Sequence, residues 1–147
     1  LFVDMDGTIV EYRVFPENFV TTETKEVFLN AEPLEVILKN LEKINEIDNL
    51  DVYILSLARS FIIVEEKKQW LKKYAPFIRE ENYILLNKEN GDYNAENREF
   101  IKSIKMMEKL NEYDYVILLD DDHKILKRTL NEIGKNGEVF HVSSATM

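Results

Sequence analysis

LFVDMDGTIV, residues 1–10, is the stretch on which the fold turns. Its opening apolar residues read as a short strand buried on both faces, and they run straight into Asp4 and Asp6. A continuing strand puts residues two apart on one face, so the two carboxylates are expected side by side. Like charges at that distance repel and push one pKa upward. A chain keeps such a pair where something repays the cost, typically a divalent cation or a proton to be moved. Gly7 lets the chain turn sharply just beyond the acids.

Similar apolar runs recur outward from this stretch: VYIL (52–55), YILL (83–86), YVILL (115–119) and VFHV (139–142). Short continuous runs are the pattern of buried parallel strands. Between them lie segments of helical period. PLEVILKNLEKINEI carries Leu34, Ile37, Leu38, Leu41, Ile44 and Ile47 in one stripe, with Pro33 suited to the first turn. EEKKQWLKKYA is a shorter helix. AENREFIKSIKMMEKL carries Phe100, Ile101, Ile104, Met107 and Leu110 behind Asn94 as N-cap. HKILKRTLNEIG carries Ile125, Leu126, Leu130 and Ile133 and stops at Gly134. Strand and helix alternate, which predicts an α/β fold with a parallel sheet covered on both faces. Ligands in such folds sit beyond the carboxyl ends of the strands.

Three polar clusters are thereby expected in one place: Asp4 and Asp6 after the first strand, Ser56 at the end of the second, and Asp120, Asp121 and Asp122 after the fourth. Singly they are ordinary. Acids after strands are often caps, and Asp122, directly before a helix, is read as one. Acids from two separate strands meeting at one sheet edge are better explained by a hard cation with oxygen ligands, such as Mg²⁺ with a substrate phosphate.

Composition sets the limits. The 147 residues suit one domain; 45% are apolar, and only 4 Gly, 3 Pro and no repeat appear. Nothing reads as a signal peptide or a membrane span, so a soluble, cytoplasmic protein without a membrane partner is expected. The absence of cysteine excludes disulfides, a thiol nucleophile and thiolate metal sites. A formal charge of −9 argues against a nucleic-acid polymer as partner. A small phosphorylated substrate remains compatible, since it needs only a locally positive pocket.

LFVDMDGTI resembles the first motif of the haloacid dehalogenase (HAD) superfamily, an apolar strand followed by DxDGT. VYILS resembles the second motif and VILLDD the fourth, in the expected order and across essentially the whole chain. VDMDGTI, VYILS, EEKKQWLKKYAP and LLDDDHKIL together resemble the bacterial branch of the 5′(3′)-deoxyribonucleotidase family. The resemblance implies a three-layer Rossmann-like fold with a five-stranded, mainly parallel sheet. It also implies a Mg²⁺-dependent phosphomonoester hydrolase, with a nucleotide among the candidate substrates. Asp4 is then the nucleophile that becomes an aspartyl-phosphate, and Asp6 the general acid and base. Mg²⁺ is held by Asp4, the backbone carbonyl of Asp6, and Asp121 with Asp120 beside it. Ser56 donates to the phosphoryl oxygens, with Leu57 next to it at the substrate.

The family's third motif is a lysine that neutralises the phosphoryl group and the nucleophile. Lys88, directly after the third strand, is preferred for it, and Lys102 on the following helix is the other candidate. HAD enzymes usually select substrates with an inserted cap, for which this chain has little room. The insert around 11–32 holds Tyr12, Phe15, Phe19 and Phe28, with Arg13 placed to meet an anion. Most of these aromatics are expected to pack the insert onto the domain.

Two other functional classes stay open. A phospho-acceptor domain of the receiver kind also combines acids, Mg²⁺ and a lysine, but its phosphorylated Asp ends a middle strand, where this chain has Ser56 and Asn87. A catalytically silent HAD-like binding module keeps the fold without turnover. Of the two histidines, His123 reads as a helix-start residue and His141 as a packed strand residue.

Overall fold

The computed structural model describes residues 1–11 and 28–146, apart from the Thr146 side chain. Five strands form one parallel sheet: β1 (Phe2–Val3), β2 (Tyr53–Ala58), β3 (Tyr83–Asn87), β4 (Val116–Asp120) and β5 (Gly137–His141). Their spatial order is β3-β2-β1-β4-β5, and every pairing is parallel. The helices are α1 (Glu35–Asn45), α2 (Phe61–Tyr74), α3 (Ile101–Glu108) and α4 (His123–Ile133).

Alternation along the strands builds a core on each side. Val3, Ile54 and Leu119 face a layer containing Ile37, Leu38, Leu41, Trp70 and Leu71 of α1 and α2. Phe2, Tyr53, Leu55 and Leu118 face Ile101, Met106, Ile125, Leu126 and Ile133 of α3 and α4. The fold is therefore three-layered, and the central strands carry no polar side because both faces are covered. The chain starts at the sheet centre, steps outward through β2 and β3, then crosses back to β4 on the other side of β1. The connection leaving β1 toward β2 and the one leaving β4 toward β5 thus run in opposite directions, which opens a crevice at the carboxyl ends of β1 and β4.

Several local expectations shift. β2 runs through Ser56 to Ala58, so Ser56 lies inside the strand rather than at its end. α2 begins at Phe61, capped by the Ser60 hydroxyl, which accepts from the Ile63 amide; it is longer than the periodic stretch suggests. Pro33 lies before α1 and pairs with Val10 in an isolated bridge. Asn94 does not start α3: its side chain accepts from the Glu96 and Asn97 amides and caps a run of turns, and the helix opens only at Ile101. α3 also presents a different face. Lys102, Ser103 and Met106 are buried with Ile101, while Ile104 and Met107 are exposed. Gly134 ends α4 with φ +55°, as expected of a helix stop.

Tyr12, Arg13, Phe15 and Phe19, with most of the expected insert, lie outside the described residues. Phe28 packs edge-on against Trp70, with ring centres 6.2 Å apart, in line with a packing role. The buried Trp70 indole donates to the Ala31 carbonyl at 3.0 Å and so ties this segment to α2. Among the described residues no helix is long and apolar enough to cross a membrane.

Candidate active site

The crevice between β1 and β4 is where the acids meet. Phe2 pairs with Leu118 and Val3 with Leu119, and the Asp4 amide continues the ladder to the Leu119 carbonyl at 3.0 Å. By alternation, Asp4 and Asp120 follow Phe2 and Leu118 onto the α3 side of the sheet. Lys102 reaches them from α3: its Nζ donates to Asp4 Oδ1 at 2.8 Å and to Asp120 Oδ2 at 2.7 Å. All three side chains are nearly withdrawn from solvent. Burial alone would lower the Lys102 pKa, but the charges of Asp4 and Asp120 and their hydrogen bonds overcome it and raise it.

Ser56 follows Ile54 onto the opposite face, and a second lysine arrives there from α2. Lys67, only 1% exposed, donates to Ser56 Oγ at 2.7 Å, to the Leu57 carbonyl at 2.8 Å and to Asp6 Oδ2 at 3.0 Å. Because Ser56 Oγ accepts from Lys67, its own proton is directed elsewhere, which suits a hydroxyl that donates to a ligand oxygen. Asp6 has left the strand. The Met5 carbonyl accepts from the amides of Thr8, Ile9 and Val10, each at 3.0 Å, and winds the chain into a tight loop that leaves the Asp6 side chain half exposed. Asp4 and Asp6 are therefore held by separate lysines from opposite helical layers, not by proximity on one strand face.

Asp121 closes the cluster from the other side. Asp4, Asp120 and Asp121 can each present one carboxylate oxygen within 4.8 Å of the others. Gly7, at φ +75°, makes this approach possible, because a Cβ there would lie 2.1 Å from Asp121 Oδ2. Burial, followed by the charges of Asp4 and Asp120, pushes the Asp121 carboxyl up to about 7. Asp120 is also raised, by burial first and then by Asp4, with Lys102 opposing. One lysine against three clustered acids leaves net negative charge, and an all-oxygen donor set with that deficit fits a hard divalent cation such as Mg²⁺. The Asp6 carboxylate is outside the cluster; the resemblance asks only for its backbone carbonyl.

Asp122 caps α4, accepting from the Lys124 amide at 2.9 Å and the Ile125 amide at 3.3 Å. Asp122→Ala is expected to cost roughly 0.5–2 kcal/mol in chemical denaturation and to leave any metal requirement unchanged. Asp121→Ala is expected to do the reverse, raising the Mg²⁺ concentration needed while relieving repulsion in the metal-free protein. An exchange of these outcomes would shift the cluster by one residue.

Lys88, preferred from the sequence for the third motif, lies away from the acid cluster, at the cavity it shares with Arg59 and Arg98. Lys88 is exposed beyond the edge strand β3, and among the described residues it is engaged through its backbone, donating to the Ala58 carbonyl at 2.9 Å, and not through its ammonium. Lys102 takes the place beside Asp4. Lys67 escaped notice in the sequence; the available signal was a lysine standing within the buried face of α2, three and four residues before Trp70 and Leu71. Leu57 contributes its carbonyl to Lys67. The histidines, read as a helix-start residue (His123) and a packed strand residue (His141), stack on each other with ring centres 4.4 Å apart, and His141 pairs in register with Asp120.

The chain matches no protein-family model and no curated protein.

Proposed function

We propose that this protein is a Mg²⁺-dependent phosphomonoester hydrolase of the HAD type, acting through an aspartyl-phosphate on Asp4. The observation that carries the proposal is the carboxylate of Asp4 held by Lys102 at the switch point of the sheet, with Asp6 in the loop after β1 and Ser56 in the neighbouring β2 both held by Lys67.

An Asp4 oxygen attacks phosphorus and the ester oxygen leaves, taking a proton from Asp6. Asp6 then accepts a proton from water as that water attacks the aspartyl-phosphate, releasing inorganic phosphate and restoring the Asp4 carboxylate. Lys102 lowers the repulsion between Asp4 and the incoming dianion, and Ser56 offers its proton to a phosphoryl oxygen. Lys67 positions both Ser56 and Asp6. Asp4, Asp120 and Asp121 would hold Mg²⁺, whose chemistry here is to offset charge on the phosphoryl oxygens and carboxylates. The receiver alternative fits less well, since receiver-like sheets follow the strand order 2-1-3-4-5, not β3-β2-β1-β4-β5.

The test is hydrolysis of a panel of nucleotides and sugar phosphates with and without excess chelator. Phosphate release that requires Mg²⁺ is expected, and rates confined to deoxynucleoside monophosphates would support the narrower family. Full activity in chelator would remove the metal from the proposal. No release from any ester would favour the silent binding module.

A further inference from the structure

We propose that the cavity bounded by Arg59, Lys88, Tyr93 and Arg98 binds a second anionic group of the substrate, a phosphate or carboxylate distinct from the phosphoryl group that Asp4 attacks. Resting on the phosphatase reading above, this makes the substrate class a phosphomonoester with two anionic ends.

The cavity, about 300 Å³, lies beyond the carboxyl ends of β2 and β3, and Asn94 and Ala95 complete its lining. Arg59 is the first residue after β2 and Lys88 the first after β3. Three cations and no acid line it, in a chain whose formal charge is −9. None of the three forms an ion pair among the described residues, whereas both lysines of the acid site do. Two nearby acids are committed to backbone instead: Glu89 accepts from the Phe61 amide at 3.0 Å and Asp92 from the Asn87 amide at 2.8 Å. Glu96 and Glu99, in the turns beside Arg98, do not line the cavity. Converging cations without counter-ions repel one another, and an anion between them removes that cost.

The cavity and the acid site share a wall. Ser56 and Leu57 bind Lys67 on one side, and the next carbonyl, Ala58, accepts the Tyr93 hydroxyl at 3.1 Å on the other. Two residues of extended strand span roughly 7 Å, a distance a small phosphorylated metabolite bridges. The buried Tyr93 hydroxyl senses both sites: burial raises its pKa, Arg98 and Arg59 lower it, and Asp6 raises it.

The test compares esters matched in pairs, with kcat/KM measured in Mg²⁺ and affinity by calorimetry without it. Adenosine 3′,5′-bisphosphate is set against adenosine 5′-monophosphate, and 3-phosphoglycerate against glycerol 1-phosphate. A preference of roughly tenfold or more for the two-anion member of at least one pair is expected, and the pair that shows it identifies the second anion as phosphate or carboxylate. The preference should vanish in the Arg59→Gln/Arg98→Gln double variant, whose altered side chains are exposed and so spare the fold. Turnover without preference in either pair overturns the anion cavity and leaves the phosphatase reading standing. Should no ester be hydrolysed, calorimetry decides alone: tighter binding of a two-anion member, lost in the variant, supports the cavity, and equal affinities overturn it.

Discussion

Lys102→Met is expected to lower the stability of the metal-free protein by about 3–5 kcal/mol, the cost of leaving buried charge without its partner. Methionine matches the length of the lysine stem and fills the space, so the loss isolates charge from packing. The wild-type ammonium sits between two carboxylates at 2.8 and 2.7 Å. Once it is gone, Asp4 and Asp120 face each other beside Asp121 in a site that excludes most water. Two compensations follow. Mg²⁺ should raise the melting temperature of the variant more than that of the wild type, because it supplies positive charge to the same oxygens. Adding Asp4→Asn should recover part of the lost stability, since it removes one of the orphaned charges, and the two substitutions should be non-additive. Equal stability of Lys102→Met and wild type in urea denaturation would mean that Lys102 does not neutralise the cluster.

Asp4→Asn is expected to reduce kcat by roughly 10⁴- to 10⁶-fold, the scale on which removal of a catalytic nucleophile acts. The fold should persist, because asparagine keeps the shape of the side chain and still offers Lys102 an acceptor, while Asp120 keeps its own bond to the lysine. What is lost is the anionic oxygen that forms the bond to phosphorus in the proposed reaction. An amide oxygen is a far weaker nucleophile, and no neighbouring acid can stand in without moving. Asp120 is fixed by Lys102 and by the Asp122 amide, which donates to its Oδ1 at 3.0 Å. Normal turnover by Asp4→Asn, measured as phosphate release, would place the nucleophile elsewhere.

All five strands were legible in the sequence, the central ones because a strand buried on both faces writes an unbroken apolar run, and the edge strand β5 because it still carries Val139 and Phe140 although it is only partly covered. The acids at the ends of β1 and β4 were legible for the same reason: polarity begins abruptly where the sheet stops. The lysines were less so: Lys102 stood as the second candidate behind Lys88, and Lys67 went unnoticed. A lysine on an amphipathic helix reads as solvated surface, and Lys67 and Lys102 became core residues only because α2 and α3 rotate them toward carboxylates that are distant in sequence. The periodic stripe in α3 pointed to Ile104 and Met107, yet the ion pair with Asp4 and Asp120 outweighs their burial and turns Lys102 inward. Lys88 attracted notice by following a strand, but β3 is the edge of the sheet, two strands from β1 and thus roughly 10 Å away at ordinary spacing. From there its side chain opens onto the cation-lined cavity instead.

The covalent intermediate tests the central claim most directly. The protein would be mixed with Mg²⁺ and p-nitrophenyl phosphate, quenched in acid within the first turnovers, digested and read by mass spectrometry. One phosphoryl group on Asp4 is the predicted result, absent from Asp4→Asn. Phosphate release with the modification on Asp120 or Asp121, or with no phosphorylated aspartate at any quench time, would contradict it.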